Sequence, residues 1–111
     1  MASANKDIEQ FFGAYFHQDW PEDHESWQGV AEHFAKDSGE QLIHQVATAV
    51  HVLSQAAVSD HELSQKLQAL GCYYWPGSEA GFRLWLKELA AYLFVVAANP
   101  SFKRDALKRA P

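Results

Sequence analysis

The sequence predicts an all-α, single-domain bundle of about five helices spanning residues 1–111. Three observations carry that expectation. Apolar residues recur at three- and four-residue intervals along most of the chain, no stretch alternates at period two, and capping residues or Gly and Pro separate the periodic stretches. A chain of 111 residues that is 48% hydrophobic and 14% aromatic can pack one core, so wholesale disorder is excluded.

Taken in order, Ile8, Phe11, Phe12, Tyr15 and Phe16 form one apolar stripe of a first helix. It is expected to end near His17–Asp19, because Pro21 disfavours helical geometry at Trp20. Trp27, Val30, Ala31 and Phe34 carry a second helix, entered from a polar turn at Glu22–Glu25 and broken by Asp37-Ser38-Gly39. Ser38 with Gln41 matches a capping box that opens a third helix, with Leu42, Val46, Ala49, Val50 and Leu53 on one face. Ser59 with Glu62 is a second capping box, ahead of a short helix carrying Leu63, Leu67 and Leu70. Gly71 stands where a left-handed C-terminal cap is wanted. Cys72–Ser78 (CYYWPGS) reads as an aromatic loop with turn chemistry at Pro76-Gly77. A last helix from about Glu79 buries Phe82, Trp85, Leu86, Leu89, Tyr92, Leu93 and Val96, and Asn99-Pro100 stops it. Residues 101–111 are expected to add a turn or fray.

The formal charge of −5 conceals a split. Residues 1–62 hold eleven acids and two bases, net −9, and residues 63–111 hold three acids and seven bases, net +4. Seven acids (Asp19, Glu22, Asp23, Glu25, Glu32, Asp37 and Glu40) face a single Lys36. Such a field repels nucleic acid and attracts cationic proteins, unless it is only a solvated face. The lone Cys72 rules out an internal disulfide and suits a reducing compartment. No apolar leader opens the chain, and the run Leu89–Ala98 is too short to span a bilayer. A cytoplasmic chain without membrane contact is expected.

Chemistry-bearing constellations are thin. Among six histidines, His44 and His51 share a helix face, and His17, Asp19 and His24 could serve a small metal protein or enzyme. Neither cysteine pairs nor an i, i+4 histidine pair with a carboxylate completes a metal set, so no metal and no cofactor are expected. Cys72 sits among apolar neighbours that make a thiol inert. GVAEHF and GSEAGF lack the lysine and spacing of a phosphate loop, and the basic tail has only Phe102 beside it. An acidic adaptor or nucleic-acid mimic is a further reading, which the +4 half opposes. The stretch YFHQDWP is either a core corner, its His17 and Asp19 orienting the turn through backbone hydrogen bonds, or part of a site.

A first helix ending in YFHQDW, an acidic segment leading into WQGVAEHF, the loop GCYYWPGSEAGF and the opening RLWLKEL of the last helix occur in this order. Together they resemble the CdiI-type immunity proteins of bacterial contact-dependent growth inhibition. The resemblance covers roughly residues 8–95, and its most specific parts are the aromatic-HQDW corner and the Tyr-x-Pro-Gly loop followed by Trp-Leu. It implies a non-catalytic protein that binds the C-terminal toxin domain of a cognate CdiA surface protein, often a nuclease, in the cytoplasm and blocks its active site. It also implies that Tyr15, Phe16, His17, Asp19, Trp20, Trp75, Pro76, Trp85 and Leu86 hold the scaffold, while the toxin-contacting surface varies. The tail after Pro100 departs from the family pattern. On this reading the chain is a monomer in a one-to-one complex, its seven acids steer a cationic toxin, and exposed members of Trp20, Trp27, Tyr73, Tyr74 and Trp75 anchor it.

Overall fold

The computed structural model describes residues 2–23 and 26–98. Among them are six helices and no strand: α1 (Ala2–Tyr15), α2 (Trp20–Asp23), α3 (Trp27–Asp37), α4 (Glu40–Ser54), α5 (Asp60–Ala69) and α6 (Gly81–Ala98). The all-α expectation holds, with one short helix more than the periodicity shows. α6 is the organising element: it packs most extensively on α4 and also meets α3 and α5, while α1 closes over α4 and α3.

The α1 stripe is as expected, with Ile8, Phe11, Phe12 and Phe16 buried and Tyr15 at the rim. The helix stops at Tyr15 rather than continuing to His17–Asp19. His17 is the reason. Its Nδ1 accepts the Asp19 amide at 3.1 Å and its carbonyl accepts the Trp20 amide at 3.0 Å, which replaces helical bonding with a tight corner. Pro21 then sits in the first turn of α2, where a missing N–H costs nothing. It therefore helps to open a helix after the corner, in the place where a polar turn was expected.

Ser26 caps α3, its Oγ accepting the Gly29 amide at 3.3 Å, and Val30, Ala31, Phe34 and Ala35 are buried. The N-cap of α4 is not the expected Ser38. Ser38 is the buried C-cap of α3, and Gly39, which has no side chain to donate or accept, is the N-cap of α4. On α4 the expected Val46, Ala49 and Val50 are buried and Leu53 packs at the rim, Ile43, Ala47 and Ser54 join them, and Leu42 is 36% exposed at the edge.

The Ser59 cap on α5 does form, with the Glu62 amide 3.1 Å from Oγ. Gly71 follows with φ +89°; its amide donates to the Gln68 carbonyl and the Cys72 amide to the Leu67 carbonyl, both at 3.0 Å, the paired bonds of a left-handed helix end. A Cβ at Gly71 would also lie 3.1 Å from the Gly13 Cα, so a glycine lets the chain cross α1 closely. α6 begins at Gly81 and buries Phe82, Trp85, Leu86, Leu89, Leu93 and Val96, with Tyr92 at the edge. The expected stop at Asn99-Pro100 and the tail lie outside the described residues. A tie that local pattern does not show comes from Arg83, whose guanidinium donates to the carbonyls of Ser54 (2.8 Å), Ala56 (3.0 Å) and Val58 (2.8 Å). It satisfies acceptors at the end of α4 and pins the connection to α5 onto α6.

Candidate functional site

The corner after α1 and the aromatic loop before α6 are joined by one backbone hydrogen bond, from the Tyr73 amide to the Phe16 carbonyl at 2.8 Å. Residues 72–76 run without helical bonding, and their side chains alternate. Cys72 is buried. Tyr74 turns inward and stacks on Trp85, with ring centroids 4.2 Å apart and planes at 20°. Tyr73 and Trp75 turn outward and remain 60% and 55% exposed. Between them and the body is an open groove of about 320 Å³, floored by Cys72 and Phe82 and walled by Gln68 and the three loop rings.

Phe16 is the centre of the corner. Its ring lies 5.3 Å from Trp85, 5.6 Å from Phe11, 6.0 Å from Trp20 and 6.3 Å from Tyr74. Trp20 is half-buried and also meets Tyr74 at 5.8 Å; Trp27 is half-buried between Trp85 and Tyr92. The five aromatic candidates thus fall into two sets. Trp20, Trp27 and Tyr74 pack on the core, and Tyr73 and Trp75 face solvent. Trp75 differs from its implied scaffold role, although its ring edge still touches Phe82 at 5.6 Å. The Trp85 indole N–H, buried at the middle of these rings, has no hydrogen-bond acceptor among the described residues.

The described acids lie on the corner, on α3 and at the start of α4. Asp19 and Glu22 are exposed at the corner, beside Trp20. Glu32 and Asp37 lie on α3, and both are engaged with phenols. Asp37 accepts the Tyr15 hydroxyl at 3.3 Å and pairs with His33 Nε2 at 3.1 Å. Burial, then the Asp37 charge and hydrogen bond, push the Tyr15 pKa up; burial, then Glu32, do the same to Tyr92. Tyr74 is raised likewise, by burial first and then by Glu88. Glu40 is exposed in the first turn of α4, where the helix dipole favours a carboxylate. The Asp23 side chain, His24 and Glu25 lie outside the described residues.

His17 spends Nδ1 on the Asp19 amide, and among the described residues no three His, Cys, Asp or Glu side chains gather closely enough to hold a metal ion. His44 and His51 are exposed on α4, with the His44 ring edge 5.2 Å from Phe94. Burial pushes the Cys72 thiol up to about 12, so it is protonated at neutral pH and a poor nucleophile.

A family model described as CdiI immunity protein matches residues 5–93, from within α1 to well into α6, and so includes both the corner and the loop. The chain belongs to the CdiI immunity protein family. No curated protein and no solved structure matches it. Within this CdiI-family fold the inward rings pack on the core, and Tyr73 and Trp75 are the exposed large aromatic side chains among the described residues. No helix among the described residues is long and apolar enough to cross a membrane.

Proposed function

We propose that this CdiI-family chain neutralises, without catalysis of its own, a toxin domain delivered by contact-dependent growth inhibition, binding one toxin domain per chain in the cytoplasm. The family match over residues 5–93 carries this reading. Tyr73 and Trp75 insert into the toxin, and Asp19 and Glu22, exposed at the corner whose Trp20 meets Tyr74 of the same loop, steer it into place. The remaining acids, Asp23, Glu25, Glu32, Asp37 and Glu40, extend the negative field of the N-terminal half. A cationic partner, such as the substrate groove of a nuclease, complements that field, and occupying the groove blocks the active site. Effective protection needs a Kd on the order of nanomolar, about −12 kcal/mol, which steering alone does not supply; the two exposed rings are the source of buried contact.

Co-expression with the toxic C-terminal domain encoded immediately upstream is the direct test. A stable complex and restored growth are expected, and no complex with no rescue would overturn the reading. Asp19→Lys with Glu22→Lys should slow association by about tenfold and flatten its salt dependence. An unchanged rate and salt slope would leave these acids as a solvated surface.

A further inference from the structure

α6 runs antiparallel to α4. Arg83 at its start reaches the Ser54 carbonyl at the end of α4, and Phe94, one turn before its end, lies 5.2 Å from His44, one turn into α4. Ser38 and Gly39 link the end of α3 directly to the start of α4, so the end of α6 shares one end of the bundle with exposed Asp37 and Glu40. Beside that end lies a groove of about 260 Å³ between α1, α3 and α4. Phe11, Phe34, Leu42 and Val46 give it an apolar floor, Asp7 and Asp37 also line it, and no Lys or Arg is among its described lining residues. Leu42 is the part of that floor that water reaches most, at 36% exposure. A groove of this kind fits an occupant that is apolar at its centre and cationic at its flanks.

The chain itself carries such a segment. Beyond Ala98, the last described residue, it continues with Lys103, Arg104, Lys108 and Arg109 against the single Asp105, and Phe102 and Leu107 stand among them. Four bases less one acid make +3, most of the +4 that residues 63–111 hold. We propose that residues 101–109 dock in this groove of their own chain, with Phe102 and Leu107 against its apolar floor and the bases facing Asp7, Asp37 and Glu40. Chain length permits it. α4, which forms one wall, packs beside α6 at about 10 Å between axes, and the stretch from Ala98 to Leu107 extends to roughly 30 Å. Exposed ion pairs add little affinity, so they set direction while the two apolar side chains supply the contact. Tethering makes a modest contact sufficient, because it holds the segment at an effective concentration on the order of millimolar. The docked segment would cancel part of the negative field of the N-terminal half. This goes beyond the toxin reading and does not depend on it, since none of these contacts involves residues 16–20 or 72–76.

The test uses the full-length chain with a nitroxide spin label attached at Ala106→Cys, the buried Cys72 staying unmodified. In NMR spectra the amide signals of Ala14, Leu42 and Val46 should be lost to paramagnetic broadening, while those of Val52 and Glu62, away from the groove, keep their intensity. Adding Lys103→Glu and Lys108→Glu to the labelled chain should restore the lost signals without touching the helices. Asp7→Lys with Leu42→Lys should restore those of Ala14 and Val46 from the other side of the contact, with circular dichroism confirming the fold. Broadening spread evenly over exposed sites, or centred away from the groove, would overturn the proposal. So would signals that stay lost in the lysine-to-glutamate variant. A spin-labelled chain mixed with an isotope-labelled, spin-free chain should leave the groove signals intact. Their loss in that mixture would make the segment of a second copy the occupant, which overturns it as well.

Discussion

The corner at residues 16–20 and the loop at residues 72–76 are both rich in aromatic rings and are joined by a backbone bond and by the contacts of Tyr74 with Phe16 and Trp20, yet they use those rings differently. In the corner the rings point in and the charges out: Phe16 is fully buried, Trp20 leans on it, and Asp19 and Glu22 face water. In the loop the rings alternate, with Tyr74 stacked on Trp85 and its neighbours Tyr73 and Trp75 in solvent. The difference lies in backbone geometry. A tight corner leading into a helix gathers its apolar side chains on one side, whereas an extended segment sends successive side chains to opposite sides. An aromatic-rich motif thus divides into scaffold and surface by direction, not by residue type.

The comparison can be broken most severely at its shared centre. Phe16→Ala removes a fully buried ring in contact with Phe11, Trp85 and Tyr74, and should cost about 3–5 kcal/mol of stability. A denaturant midpoint little changed from the wild type would show that the corner is not part of the core. The loop supplies an internal control. Tyr74→Ala should cost about 2 kcal/mol through the lost stacking on Trp85, and Tyr73→Ala less than about 0.5 kcal/mol. Equal losses by thermal melting would contradict the inward and outward alternation. Gly71→Ala falls next, at about 1–2 kcal/mol, because the left-handed φ of +89° strains any side chain and the new Cβ would press on Gly13.

The smallest effect concerns Cys72. Its thiol, raised from 9.0 to about 12 by burial, contributes stability that is fully present below pH 9 and lost as pH rises through 12. No pH effect from this group is expected between pH 6 and 8. A thiol reagent at pH 8 should label the denatured chain and leave the folded one almost untouched, and rapid labelling of folded protein would mean that the loop opens readily.

Much of this architecture was legible in the sequence because the stripes of α1, α3, α5 and α6 are long enough for the 3.6-residue period to stand out. α2 was not, since four residues carry no period, and its Pro21 reads equally as a stop or as a first-turn residue. The start of α4 slipped by one residue because Ser38 and Gly39 are both acceptable caps, and Ser38 is taken up as the C-cap of α3. The tie made by Arg83 has no local signal, because the carbonyls it binds belong to the distant end of α4 and the connection after it. The family pattern marked the corner and the loop as its most specific parts. It set Trp75 with the scaffold, whereas that ring points outward, in a loop tied by the bond between Tyr73 and Phe16, far apart in the chain.

The central claim is that the inward rings hold the fold and the outward pair, Tyr73 and Trp75, holds the toxin. The most direct measurement is the Kd of Tyr73→Ala with Trp75→Ala for the upstream-encoded toxin domain, alongside the melting temperature of the same variant. The expected result is a near-native melt with affinity lowered by roughly 30-fold or more, the loss of about 2 kcal/mol that two interfacial anchors represent. Undiminished affinity with an intact fold would contradict it and place the toxin on another face.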